Sequence, residues 1–218
     1  MDSPISVEKY IETLNQVHGV ETVEKLLSYI DMVLERNEHI NLTAIRDRDE
    51  AIVKHLADSL SVLEVSEFWD AKTVIDVGTG AGFPGALLAI TCPFKHFVLL
   101  DSTRKRLRVI DEFAEALGID NIETVHARAE EAGRQEYAAK FDICVSRAVA
   151  DLSKLVGWCL PFVKKDGAFI SYKGDNYAAE LESALPAIRK QGASFDRAVS
   201  ADTGFSEIDG HTLLVFKK

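Results

Sequence analysis

The segment Thr73-Val74-Ile75-Asp76-Val77-Gly78-Thr79-Gly80-Ala81-Gly82-Phe83-Pro84-Gly85 constrains this chain more than any other. Its first half is apolar and β-branched, which suits a buried strand. The glycines at 78, 80, 82 and 85 suit a tight turn that opens a helix, because they tolerate positive φ and put no Cβ between backbone and ligand. About twenty residues on, Phe97-Val98-Leu99-Leu100-Asp101 reads as a second buried strand that ends in a carboxylate. A carboxylate so placed can accept two hydrogen bonds from the ribose hydroxyls of a nucleotide-like cofactor. The two strand ends together describe half of a nucleotide-cofactor site.

The glycines can be read in two registers. Gly80-Ala81-Gly82-Phe83-Pro84-Gly85 satisfies the dinucleotide pattern G-x-G-x-x-G, a weak signal by itself. That register leaves Asp76 inside the strand, where a carboxylate needs a partner. Starting at Gly78 gives Asp76-x-Gly78-x-Gly80-x-Gly82 with the acid at the mouth of the strand, which resembles motif I of the S-adenosylmethionine-dependent methyltransferases. An acid there faces the cationic methionine end of that cofactor, whereas a pyrophosphate would be repelled. The charge argument favours methyl transfer, with hydride transfer as the competing enzymatic reading.

The first seventy residues read as helical. Ser6 caps a helix carrying Val7, Tyr10, Ile11 and Leu14, and Gly19 ends it. A second helix places Val23, Leu26, Leu27, Ile30, Val33 and Leu34 at three- and four-residue spacings. A third runs from Glu50 to Val65, and the polar stretch Asn37–Asp47 separates the two. From Thr73 strands alternate with helices. Further strands are expected at Ile122–His126, Phe141–Ser146, Ala168–Tyr172, Phe195–Val199 and Thr212–Lys217, and helices at Pro84–Ile90, Arg104–Leu117, Leu152–Phe162 and Ala178–Arg189. This alternation specifies an α/β fold with a doubly wound, mostly parallel sheet and an antiparallel last strand. The division expected is an N-terminal helical segment, 1–70, followed by a cofactor-binding domain, 71–218.

At 218 residues the chain holds one full α/β domain with an appended segment. An apolar fraction of 47% excludes a disordered chain. Cys92, Cys144 and Cys159 have no C-x-x-C spacing and read as small core residues of a reducing, cytoplasmic compartment, with no metal site. No stretch has the length of a membrane span. Twenty-five basic against 35 acidic residues give a net charge of −10, which opposes broad attachment to nucleic acid and demands a local basic face if RNA is bound. The one concentrated cluster is Arg104-Lys105-Arg106-Leu107-Arg108. Its cations oppose the macrodipole of the helix they begin, so it is either a solvated face balanced by Asp111, Glu112 and Glu115 or a phosphate contact. Arg46 and Arg48 are further candidates for such a face.

Other residues stand at strand ends. Arg128, Ala129 and Glu130 follow the third strand, where Glu130 is also explained as an N-terminal helix charge. Arg147 follows the fourth strand and Lys173 the fifth; a charged residue there is hard to explain as core. His55-x-x-Asp58-Ser59 puts His and Asp on one helix face, a pair more often structural than catalytic. The chain has no Pro-Pro dipeptide of the kind used in amine methylation, and no Pro-Cys nucleophile of the kind used at cytosine C5. A ring nitrogen such as guanine N7 already offers a lone pair and needs orientation, not a base.

Asn41-Leu42-Thr43-Ala44-Ile45-Arg46-Asp47, His55-x-x-Asp58-Ser59, the Asp76–Gly85 turn, Ser146-Arg147-Ala148 and Lys173-Gly174 occur in that order. In these motifs the chain resembles the RsmG family, also called glucose-inhibited division protein B. The resemblance is specific from about Asn37 to Gly174 and rests elsewhere on length and pattern. It implies a class I methyltransferase (Rossmann-like) fold, with S-adenosyl-L-methionine as methyl donor and N7 of the guanosine at position 527 of 16S rRNA as acceptor. It further implies cofactor contacts at Gly78, Phe83, Ala129, Glu130 and Arg147, and roles near the active site for Asn41, Arg128 and Lys173; from their strand-end positions Arg147 and Lys173 are expected to orient the guanine or its phosphates beside the methyl group. The strand-end reading adds Asp76, Gly80, Gly82 and Asp101 to the cofactor set. A monomer acting on the 30S subunit in the cytoplasm is expected. The alternatives are a small-molecule methyltransferase, which the acidic charge would suit, and a cofactor-binding regulator that methylates no rRNA.

Overall fold

The computed structural model describes residues 5–147, 149–174, 176–201, 203–206 and 211–218. Ala148 of the Ser-Arg-Ala motif lies outside them. The chain opens with α1 (Val7–His18) and α2 (Val20–Asn37). Ser6 Oγ accepts from the Lys9 N–H at 3.3 Å, and Gly19, at φ 83°, closes α1 through its N–H to the Asn15 carbonyl. Asn37, buried at the end of α2, organises the polar stretch that follows. Its Nδ2 donates to the Thr43 and Ile45 carbonyls, and its Oδ1 accepts from the Leu42 and Thr43 N–H groups.

The helix expected over Glu50–Val65 begins earlier and changes pitch. Asp47 caps α3 (Arg48–Ala51) by accepting from the Glu50 N–H at 2.9 Å. The segment then widens to a π-helical stretch, Ile52–Ala57, returns to α for α4 (Asp58–Leu60) and tightens to a 3-10 turn, Ser61–Glu64. π-helical turns inside α-helices are uncommon and concentrate at functional sites. A short helix that the periodicity did not signal, α5 (Ser66–Asp70), leads into the sheet.

β1 (Thr73–Val77), β2 (His96–Asp101), β3 (Ile122–His126), β4 (Phe141–Arg147), β5 (Val163–Lys173), β6 (Ser194–Ser200) and β7 (Thr212–Lys217) form one seven-stranded sheet in the order β3-β2-β1-β4-β5-β7-β6. β1 to β5 are parallel neighbours, and β7 is antiparallel to both β5 and β6. The expected antiparallel last strand is therefore present. β4 and β5 each run further than the apolar pattern predicted, so Arg147 and Lys173 are the last residues of their strands and not the first beyond them. α6 (Gly85–Thr91), α7 (Arg104–Leu117), α8 (Ala129–Ala132), α9 (Leu152–Cys159) and α10 (Tyr177–Lys190) supply the crossovers.

The two faces of the sheet bury separate cores. On one, Val74, Phe97, Leu99, Val145 and Ile170 pack with α6, α7 and the N-terminal helices through Leu26, Tyr29, Ile30 and Leu56. On the other, Ile75, Val98, Cys144 and Phe169 pack with α9 and α10. Cys92, Cys144 and Cys159 are buried and free, as their spacing indicated. The N-terminal helices also reach the glycine turn. The wholly buried Tyr29 donates its hydroxyl to the Ala81 carbonyl at 2.9 Å, and a Cβ added at Gly82, itself at φ 93°, would collide with that hydroxyl. Tyr29→Phe leaves the Ala81 carbonyl without this donor and should cost about 1–3 kcal/mol in urea unfolding. A stability equal to the parent's would show that the bond adds nothing.

Candidate active site

Strand order reverses between β1 and β4, and in open α/β sheets ligands bind outside the carboxyl ends of the strands at such a point. A cleft of about 370 Å³ opens there, lined by Gly78, Asp101, Arg106, Arg128, Ala129 and Glu130, with Val149 and Trp158 on its apolar wall. Gly78 sits at φ 78° with its N–H on the Leu100 carbonyl at 2.8 Å. A Cβ at Gly78 would come within 2.5 Å of the Val149 side chain, so only a glycine lets the chain leave β1 by this route.

Asp101 is 5% exposed, at the end of β2. Its Oδ2 accepts from the Gly80 N–H at 3.0 Å and its Oδ1 from the Thr103 N–H at 2.7 Å. Each carboxylate oxygen retains a second acceptor position, so a ribose can still be held. Replacing Asp101 by Ala would also release the glycine turn, so that variant tests more than ribose recognition. Ala129 and Glu130 begin α8, and Arg128, exposed, precedes them with its Nη1 4.0 Å from Glu130 Oε1.

Asp76 is not at the mouth of its strand. It lies inside β1, wholly buried, and turns Oδ2 onto the Gly85 N–H at 2.9 Å, the first residue of α6. The partner that an acid inside a strand requires is thus the N-terminus of the next helix. Asp76 Oδ1 and the nearby Thr79 Oγ1 are buried without a hydrogen-bond partner among the described residues. Burial raises the Asp76 carboxyl to about 6, against the nearby Thr79 hydroxyl, the Gly85 N–H and the Arg147 charge.

A second constellation stands beside the cleft. His55 stacks on Phe83 with centroids 4.5 Å apart at 20°, and the Arg147 guanidinium lies 5.6 Å from the same ring. His55 Nε2 is 2.7 Å from Thr43 Oγ1, and its Nδ1 is 3.4 Å from Arg147 Nη2. A guanidinium only donates, so Nδ1 is the acceptor and Nε2 carries the proton. Burial, then the charge of Arg147, lowers the imidazole to about 4, and it is neutral near pH 7. Arg147 pairs with Asp58 at 2.8 Å. Lys173 is similarly enclosed: its Nζ is 2.6 Å from Glu180 Oε2 and 3.0 Å from the Ala150 carbonyl. Asn41 is exposed in the loop that Asn37 organises.

The structure therefore gathers Gly78, Asp101, Arg128, Ala129 and Glu130 at one cleft and Phe83 and Arg147 beside it with His55 and Asp58. Gly80 and Gly82 shape the turn, and Asp76 lies beneath it. Tyr29, Glu180 and His211 were not singled out from the sequence; Tyr29 and His211 act across 52 and 153 residues, where no local spacing betrays them. Among the described residues no group of acidic, His and Cys side chains is arranged to hold a metal ion. No described helix is long and apolar enough to cross a membrane.

This sheet order, with its glycine turn and strand-end carboxylate, defines a class I methyltransferase fold. Solved structures share it: a putative O-methyltransferase from Klebsiella pneumoniae aligns with TM-score 0.59 at 17% identity, covering 87% of this chain and 90% of that one. Cofactor-bound Rv0187 from MTB aligns with TM-score 0.62 at 16% identity over 98% of each chain. More specifically, the GidB family, described as rRNA small subunit methyltransferase G, matches residues 22–205, and the chain belongs to that family. Among its relatives, ribosomal RNA small subunit methyltransferase G of Alkaliphilus metalliredigens (strain QYMF) is 43% identical over 197 residues, 90% of this chain and 82% of the relative. The protein of the same name in Clostridium perfringens (strain 13 / Type A) is 38% identical over 213 residues, 97% and 89% of the two chains.

The raised Asp76 carboxyl has a consequence for stability. Unfolded, it titrates near 3.8; folded, near 6, so between these values the folded chain holds more protons and stability falls as pH rises. Above about 6 the whole penalty of a buried charge is present. Asp76→Asn keeps the acceptor for Gly85 and removes the charge. Its melting temperature should exceed the parent's at about pH 8, with the gap closing near pH 4. A gap independent of pH would refute this account.

Proposed function

We propose that this protein transfers a methyl group from S-adenosyl-L-methionine to N7 of a guanine in 16S rRNA, at position 527 as the family resemblance implies. The observation that carries the reading is the cleft uniting Gly78, Asp101, Ala129 and Glu130 in a chain of this family. The residues fit the cofactor: Gly78 offers bare backbone where a Cβ has no room, and Asp101 keeps acceptor positions for a ribose. When bound, S-adenosylmethionine supplies a methyl group made electrophilic by its sulfonium.

The chain itself has to orient the acceptor and keep water away. Guanine N7 presents a lone pair, so no protein group has to remove a proton. His55 suits such a mechanism, because it is neutral and both of its nitrogens are engaged by Thr43 and Arg147. It supports the chemistry as an aromatic floor with Phe83 and does not act as a base. Single-turnover rates at saturating cofactor should therefore be flat between about pH 7 and pH 9; a rate governed by a protein group titrating in that window would overturn the base-free mechanism. Gly78→Val, which must shift the turn against Val149, should abolish cofactor binding in calorimetry on protein shown by melting curves to be folded, and unaltered affinity would sink the placement.

Attraction of RNA must come from a local face, because the net charge is −10. Arg48 is paired at the surface with Asp31, and Arg147 and Lys173 are enclosed with Asp58 and Glu180, so each of the three already has a carboxylate partner. Of the cations singled out from the sequence, Arg46, Arg104, Lys105, Arg108 and Arg128 are exposed and have no carboxylate at hydrogen-bond distance among the described residues, so they are the ones offered to phosphates. So few contacts give limited affinity for free RNA, since each neutralised phosphate adds one counterion-release contribution. The substrate proposed is the 30S subunit, met by a cytoplasmic monomer. Intact small subunits should accept methyl groups faster than deproteinised 16S rRNA at matched salt. Equal rates would remove the dependence on the particle.

A further inference from the structure

Lys54, His55 and Asp58 converge on the guanidinium at the end of β4 from one face of the π-helical stretch and the turn after it. Arg147 Nη1 donates to Asp58 Oδ2 at 2.8 Å and to the Lys54 carbonyl at 3.2 Å, and Nη2 lies 3.4 Å from His55 Nδ1. A guanidinium has five N–H donors in a fixed plane, and these contacts engage three of them. The Nε–H and one Nη2 hydrogen have no partner among the described residues. The side chains of Arg147 and Asp58 are only 12% and 4% exposed, and a cation taken out of water needs a fixed partner.

Asp58 is itself fixed. Its Oδ1 is 3.0 Å from His211 Nδ1, next to the start of β7, while the following residue, Ser59, accepts the Tyr172 hydroxyl of β5 at 2.8 Å. Burial pushes the Asp58 carboxyl up, but the hydrogen bond from His211 and the Arg147 charge outweigh it, and the group is held as an anion. A bland ion pair of the fold would need neither of the other two contacts on the arginine, nor an aromatic ring beneath it.

We propose that Asp58 is a positioning residue for methyl transfer: it fixes the plane and charge of Arg147 over Phe83, so that the two remaining N–H donors are presented to the cofactor. This rests on the methyltransferase reading and on the cofactor contact that the family resemblance gives Arg147. Asp58 touches neither substrate, and its effect passes entirely through the guanidinium.

The test is a double-mutant cycle with Asp58→Asn, Arg147→Ala and the pair, read by calorimetric affinity for S-adenosylmethionine and by methyl incorporation into 30S subunits. Each single variant should lose at least about tenfold in both, and the pair should match Arg147→Ala within about twofold. Parent-like behaviour of Asp58→Asn, or a pair whose loss is the product of the singles, would overturn the proposal. Melting curves establish that each variant is folded. Should Asp58→Asn unfold, Asp58→Glu, which keeps the charge but moves it by one methylene, takes its place with the same expected coupling. A parent protein that binds the cofactor yet methylates no 16S rRNA would refute the proposed substrate, and the affinity arm would still decide the role of Asp58.

Discussion

The turn after β1 carries almost no side chains with which to hold itself, so its shape depends on polar clamps from outside. Asp101 takes the Gly80 N–H, Tyr29 gives its hydroxyl to the Ala81 carbonyl, and Asp76 takes the Gly85 N–H. The three clamps come from β2, α2 and β1. A flexible sequence is thereby converted into a fixed surface, which is what recognition of a nucleotide-like ligand requires. Glycine supplies the close approach, and the surrounding fold supplies the rigidity.

The same logic explains the N-terminal helices. They share a core with one face of the sheet, and they also deliver Tyr29 to the glycine turn and His55 and Asp58 to Arg147. Burying two carboxylates, a guanidinium and an imidazole beside one another is costly unless each is satisfied. The charges are kept by pairing, while the imidazole gives up its charge. Asp76 is the carboxylate in this neighbourhood whose ionised form is disfavoured, because the Thr79 hydroxyl, the Gly85 N–H and the Arg147 charge do not make up for full burial.

Electrostatics divide the cations into two populations. Arg147 and Lys173 are paired with the carboxylates of Asp58 and Glu180 and Arg48 with the exposed Asp31, while the exposed cations of the first turns of α7 have no acidic residue beside them in that turn. Position at a strand end did not by itself leave a lysine or arginine without a carboxylate partner. Exposure and the absence of a partner are decided by packing.

Local pattern was enough for much of this protein. The period-two and period-3.6 runs placed β3, β7 and α7 residue for residue, and the glycine turn with Asp101 marked the cleft at the carboxyl ends of the strands, because these signals are contained within a few turns of chain. The ordered motifs from Asn41 to Lys173 pointed to the family that the whole chain belongs to. Tertiary structure decided what the side chains do. Asp76 sits inside its strand because α6 offers an N–H there, the Glu50–Val65 helix changes pitch where its face meets Arg147, and His55 is neutral because it is buried beside the Arg147 charge. Those partners lie far along the chain, so composition and spacing identified the residues, and only the packed fold assigned their charges and roles.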